Sequence, residues 1–319
     1  MTTSILFLLA GIALLYAGGE GLVRGAGSIA LRIGMSPFII GMTIVAFATS
    51  APELAVSLQA AFAGADDVAI GNVVGSNIAN IGLILGICAL IRPARIQMRL
   101  LRLDLPWLIF VSSLLVAFLN DGRLTRVAGA VFLVGLAVFL YWNIQLARRE
   151  QLEEAAEVRA EFEHQVPPAH RSRWLDWLLI GGGFVALVAG GAAFVRGGVA
   201  LAEALGVSSA FIGLTVIAIG TSLPELATSI VASLRGEADI SVGNVVGSNF
   251  FNILAILGIT AMIYPLERGG ITMIDLSVML LFTIALMFLV MVRQRIGRPE
   301  GVVLLAGYAA YITWLASQG

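Results

Sequence analysis

Residues 41–89 and 213–261 align without a gap at an offset of 172, and 27 of the 49 paired positions are identical. The longest identical block is GNVVGSN, at 71–77 and again at 243–249. Most of the remaining pairs are apolar swaps such as Val45 for Ile217. Self-similarity at a fixed offset obliges the chain to build one structural unit twice. How the two copies face each other depends on whether the unit holds an even or an odd number of spans.

The chain is 59% apolar and 12% charged over 319 residues. Soluble domains carry roughly 25% charged residues. A bilayer core needs about 20 apolar residues per helix. Ten runs meet that need, near 4–23, 37–61, 68–91, 104–120, 127–146, 174–195, 209–233, 240–264, 271–292 and 300–317. The N-terminal run lacks a basic leader and reads as the first span rather than a signal peptide. The fold expected is an all-α membrane protein of ten transmembrane helices in two inverted five-helix repeats. Residues 1–146 form the first repeat, 147–173 a cytoplasmic linker and 174–319 the second repeat. Five spans per unit make the second copy enter from the opposite side, the pattern of secondary transporters.

All 19 basic residues are arginine. With ten spans, four of them (Arg123, Arg126, Arg196, Arg268) fall on one side and fifteen on the other. The positive-inside rule puts the richer side in the cytoplasm and both termini outside. The expected location is therefore a multi-pass plasma or inner membrane protein. The linker ARREQLEEAAEVRAEFEHQVPPAHRSR reads as a short charged helix followed by Pro167 and Pro168. It holds both histidines, His164 and His170, with no further ligand to complete a metal site. One cysteine, Cys88, excludes an intrachain disulfide. A net charge of −1 argues against a nucleic-acid partner, and no nucleophile–base constellation points to an enzyme.

Two glutamates break the apolar pattern. Glu53 lies in ATSAPEL and Glu225 in GTSLPEL, each at position 17 of a 25-residue run. A carboxylate at mid-depth costs about 2.5–3.5 kcal/mol on insertion scales and normally faces a partner or a wet cavity. No basic residue lies in either run to neutralise it, which favours a mobile cation. Pro52 and Pro224 cannot donate to the carbonyls of Ala48 and Gly220, so the helix opens there. Thr49, Ser50, Thr221 and Ser222 add hydroxyl oxygens beside the opened backbone. Such hard oxygens suit Ca²⁺ and Na⁺.

The third and eighth runs carry GNVVGSNIAN and GNVVGSNFFN. Gly71, Gly75, Gly243 and Gly247 give small-xxx-small spacing for close helix approach. Ser76 and Asn80, and likewise Ser248 and Asn252, share a helical face at i and i+4. Asn72, Asn77, Asn244 and Asn249 either glue helices together or bind ions directly. Asp66, Asp67, Glu237 and Asp239 sit at run ends where they can reach water. Glu20 and Asp275 read as flanking or local partners.

TIVAFATSAPEL and TVIAIGTSLPEL, each followed by GNVVGSN, resemble the cation/calcium exchanger superfamily, with the pattern of prokaryotic sodium/calcium exchangers. The resemblance covers the whole chain. It implies four adjacent cation sites among the second, third, seventh and eighth helices. It makes Glu53 and Glu225 the main calcium ligands, with Thr49 and Thr221 adding backbone oxygens. Ala46, Ser50 and Ser76 would form one flanking sodium site, and Ala218, Ser222 and Ser248 its mirror image. Asn80 and Asn252 would border the middle position. The first and sixth helices would form a pair that slides past the other eight, which suits the glycine-rich GGGFVALVAGG at 181–191. The family pattern pairs one Asn with one Asp at the middle position, whereas this chain has Asn at both 80 and 252. That leaves two formal negative charges, which balance one Ca²⁺ but not three Na⁺.

The expected function is Na⁺/Ca²⁺ antiport by alternating access. The alternatives are H⁺/Ca²⁺ or another monovalent/divalent exchange on the same fold, a cation channel, and a non-transporting scaffold. Expected partners are the lipid bilayer and the transported ions, with no cofactor, no nucleic acid and no obligate protein partner.

Overall fold

The computed structural model describes residues 2–33, 35–153, 173–204 and 218–318. Among the described residues the regular structure is helical apart from four two-residue strands. The helices are α1 (Thr2–Ile33), α2 (Pro37–Thr49), α3 (Ala51–Phe62), α4 (Asp66–Ile91), α5 (Leu100–Asn120), α6 (Arg126–Glu153) and α7 (Arg173–Ala204). They continue with α8 (Ala218–Thr221), α9 (Leu223–Arg235), α10 (Ala238–Ile263), α11 (Met273–Arg293) and α12 (Arg298–Gln318). Among the described residues, eight helices are long and apolar enough to cross a membrane, or nine if α2 and α3 count as one broken span. The expected seventh run, 209–233, begins outside the described residues, as does the end of the charged linker with His164 and His170.

The contacts divide the chain into two compact units. The first comprises 1–49 and 143–244, and the second 50–142 and 245–319. Each therefore draws on both sequence repeats.

In the first unit α1 and α7 pack along a glycine seam. A Cβ added at Gly18 would lie 2.7 Å from the Gly183 carbonyl oxygen, and one at Gly25 2.9 Å from that of Asp176. At Gly190 it would lie 3.0 Å from the Gly11 oxygen, and at Gly197 2.8 Å from the Ser4 oxygen. Only glycine permits backbones this close. As the residue number rises along α1 it falls along α7, so these repeat-equivalent helices run antiparallel. Gly11, Gly18 and Gly25 recur every seven residues, and the offset of 172 carries them onto Gly183, Gly190 and Gly197. Leu15, Leu22, Val23, Ile180, Leu187 and Val231 fill the apolar core beside the seam.

Charged residues close one end of this unit. Arg32 pairs with Asp176 at 2.8 Å. Glu20 pairs with Arg24, one turn away, and with Arg235 at 2.5 Å. Arg235 also reaches Glu237 at 3.3 Å. Glu237, read from sequence as water-accessible, is buried against this cluster. Burial pushes its carboxyl above the ordinary glutamate range, and the Arg235 charge only partly opposes this.

In the second unit the strands β1 (Ala94–Arg95), β2 (Arg123–Leu124), β3 (Leu266–Glu267) and β4 (Arg295–Ile296) form two antiparallel ladders. Ala94 and Arg95 pair with Ile296 and Arg295, and Arg123 and Leu124 with Glu267 and Leu266. Adding 172 to the first pair of strands and subtracting it from the second converts one ladder into the other, residue for residue. A two-fold exchange of the repeats is thus built into the pairing. Thr272 and Asp275 form a reciprocal N-terminal cap on α11, and Tyr311 donates to Asp275 at 2.8 Å. Asp275 is therefore a local structural partner.

Candidate ion-binding site

Each glutamate sits just past a helix break. In the first unit α8 ends at Thr221, Ser222 adopts φ −88° and ψ 7°, and α9 restarts with Pro224 and Glu225 in its first turn. In the other repeat α2 ends at Thr49, Ser50 adopts φ −84° and ψ 2°, and α3 restarts with Pro52 and Glu53 in its first turn. These serine dihedrals lie in the sparsely allowed bridge region, where many active-site residues sit. A proline at the start of a helix loses nothing, because its missing N–H has no intrahelical acceptor there. A carboxylate in the first turn also meets the positive end of the new helix dipole. Both glutamates are 1% exposed. The proline-driven break expected from sequence is present in both copies.

An asparagine clamps each break. In the first unit Asn244 Nδ2 donates to the Glu225 main-chain oxygen at 3.4 Å and to Ser229 Oγ at 3.0 Å. Thr49 Oγ1 donates to Asn244 Oδ1 at 3.1 Å, so one amide joins Thr49 to the Glu225 backbone. In the second unit Asn72 Nδ2 donates to the Glu53 main-chain oxygen at 3.1 Å and to Ser57 Oγ at 3.0 Å. Ser57 in turn donates to the Ala69 carbonyl at 3.4 Å. Each such bond adds about 0.5–1.5 kcal/mol net and costs more when only one partner is removed. Sequence reading left Asn72 and Asn244 open between glue and ligand, and the Nδ2 atom of each serves as glue. It missed Ser57 and Ser229 altogether. Their signal was identity between the repeats, four residues beyond each glutamate.

A second amide cluster lies in the second unit. Asn80 Nδ2 donates to Asn249 Oδ1 at 3.0 Å, and Asn252 Nδ2 donates to Asn77 Oδ1 at 2.9 Å. The offset of 172 interconverts the two bonds. The order of the pairs is opposed along the two helices, so α4 and this part of α10 cross antiparallel. While each Nδ2 donates to its neighbour, Asn80 and Asn252 keep their Oδ1 atoms buried and without a hydrogen-bond partner among the described residues. Orphaned buried acceptors are costly and call for an explanation. A dehydrated cation is one. Both asparagines fall in π-helical turns, Asn80–Leu85 and Phe251–Leu257, a distortion common at functional sites.

The twelve residues picked from sequence split evenly. Ala46, Thr49, Ala218, Thr221, Ser222 and Glu225 belong to the first unit, and Ser50, Glu53, Ser76, Asn80, Ser248 and Asn252 to the second. Ala46, Thr49, Ser50, Ser76, Ser222 and Ser248 are buried and Thr221 is half-buried. Ala218 opens α8. Ser248 Oγ is another buried oxygen without a partner among the described residues. Asn77 and Asn249 act on Asn252 and Asn80 as hydrogen-bond acceptors.

Many apolar helices, a duplicated buried acid at a helix break and orphaned amide oxygens are the chemistry suited to an ion carrier of the membrane. The family model for sodium/calcium exchanger protein matches residues 3–145 and 175–316, once for each repeat, and the chain belongs to that family of cation/calcium antiporters. It is 41% identical to the putative antiporter CaxA of Alkalimonas amylolytica, over 98% of each chain. It is 33% identical to the sodium/calcium exchanger MaX1 of Methanosarcina acetivorans, over 99% of each. A solved structure of the sodium-calcium exchanger NCX_Mj, soaked with Na⁺ and Ca²⁺, matches with a TM-score of 0.82 at 30% identity and covers 97% of both chains.

Proposed function

We propose that this chain exchanges Na⁺ for Ca²⁺ across a plasma or inner membrane by alternating access. Its working fold is ten transmembrane helices in two inverted repeats, 1–146 and 174–319, joined by a cytoplasmic linker, with both termini outside. The antiparallel courses of α1 and α7, and of the amide-paired parts of α4 and α10, support the inversion. An inverted pair can exchange conformations between its halves, and that exchange carries access from one face to the other.

Glu53 and Glu225 supply the carboxylates for Ca²⁺, with backbone oxygens of Thr49 and Thr221. Ser50, Ser76 and Ala46 serve one sodium position, and Ser222, Ser248 and Ala218 its mirror image. Asn80 and Asn252 offer neutral oxygens between them. The observation that carries the reading is the pair of clamped helix breaks, each presenting a buried glutamate. The uncharged amides at 80 and 252 favour a second reading of the counter-ion: with two carboxylates, two H⁺ balance the site as well as two Na⁺ do.

Calcium uptake into proteoliposomes loaded with Na⁺, K⁺ or an acidic lumen separates these. Uptake that requires the outward Na⁺ gradient is expected, and Glu53→Gln or Glu225→Gln abolishes it while the protein still folds. Uptake driven by the pH gradient alone assigns H⁺ as counter-ion. Full calcium exchange in a folded double variant overturns the carboxylate assignment.

A further inference from the structure

The two ladders of the second unit occupy repeat-equivalent positions but differ in charge. In β2·β3, Arg123 faces Glu267. In β1·β4 the equivalent partners are Arg95 and Arg295. Opposite charges stabilise a cross-strand pair, and like charges directly opposite destabilise it. Both arginines are exposed, and neither side chain makes a hydrogen bond or ion pair with a described residue. The fold thus repeats a ladder faithfully but places a repulsive pair in one copy.

The surroundings deepen the imbalance. Residues 92–104 and 293–300 hold seven arginines against Asp104 and Glu300. Asp104 is engaged by Arg99 at 3.5 Å, and Glu300 accepts from the Gly297 N–H at 2.9 Å and lies 3.8 Å from Arg293. Arg92, Arg102 and Arg298 stand exposed around the pair. The ladder links α4 to α5 and α11 to α12, so it lies at the edge of the apolar zone where these spans end. Met98, Leu103 and Met291, within eight positions of the ladder arginines along the chain, expose apolar side chains.

We propose that the Arg95–Arg295 ladder binds the headgroup phosphate of an anionic phospholipid. A phosphate placed between two guanidinium forks turns their repulsion into two charge-assisted bridges. Basic pockets between spans at the membrane edge are suited to such headgroups. The adjoining methionines and leucine give the acyl chains an apolar wall, which a free anion would not use.

The test uses the full chain in nanodiscs of phosphatidylcholine, with or without phosphatidylglycerol, read by thermal unfolding and by retained lipid in native mass spectrometry. Arg95→Glu recreates the Arg–Glu pair of the mirror ladder. It is expected to raise the melting temperature in phosphatidylcholine and to remove the further rise that phosphatidylglycerol gives the parent chain. Retention of phosphatidylglycerol falls roughly fivefold per arginine in the Arg95→Gln/Arg295→Gln double variant. Arg123→Gln, in the mirror ladder, leaves it unchanged. Equal retention by parent and double variant overturns the proposal. So does inorganic phosphate matching the phosphatidylglycerol effect in phosphatidylcholine discs, since the site would then be one for a free anion.

Discussion

At the scale of single residues, what matters is which buried polar atoms already have partners. Asn80 and Asn252 each donate from Nδ2, and their oxygens are without a hydrogen-bond partner among the described residues. Glu237 presents the opposite case. Its charge is held by Arg235 but is poorly solvated, and its proton is bound more tightly in the folded chain than in the unfolded one. Its contribution to stability is therefore present below the ordinary value of 4.5 and is lost as the pH rises through the raised value. Glu237→Gln should flatten the fall of melting temperature with pH above about 4.5. A slope identical to that of the parent chain would locate the pH dependence elsewhere.

At the scale of elements, the α1–α7 seam sets the tolerances. A methyl group at Gly183 would lie 2.7 Å from the Leu22 nitrogen and 2.8 Å from the Gly18 oxygen. Backbone atoms cannot step aside as a side chain can. Gly183→Ala should cost about 1–3 kcal/mol, the range for overpacking, and separate the two helices. Thermal unfolding measures the loss. Stability equal to that of the parent would mean that the seam is looser than these distances require.

At the scale of the whole molecule, the offset of 172 governs more than sequence. It interconverts the ladders, the clamping asparagines, the amide pairs and the seam glycines. A carboxylate introduced at either amide position should therefore have the same consequence. Asn80→Asp and Asn252→Asp are each expected to raise the charge moved per calcium ion by one, measured as current across a reconstituted bilayer. Unequal effects, or none, would separate these positions from ion coupling.

The helical membrane character, the repeat, the broken segments and the two buried glutamates were legible in the sequence, because each is a composition, a local departure from an apolar background or an identity at fixed offset. Proline marks its break wherever the chain goes, and a carboxylate in an apolar run needs a reason in any fold. The roles of Asn72 and Asn244 as clamps, the service of Ser57 and Ser229, the orphaned oxygens of Asn80 and Asn252, and the burial of Glu237 were not legible. Each is decided by a partner 12 to 195 positions away or by the packing of another helix. The like-charged ladder needed both: its arginines are written in the sequence, but only tertiary pairing sets Arg95 opposite Arg295. Sequence determined which groups the membrane must bury, while the tertiary structure decided which atoms of those groups remain available to an ion.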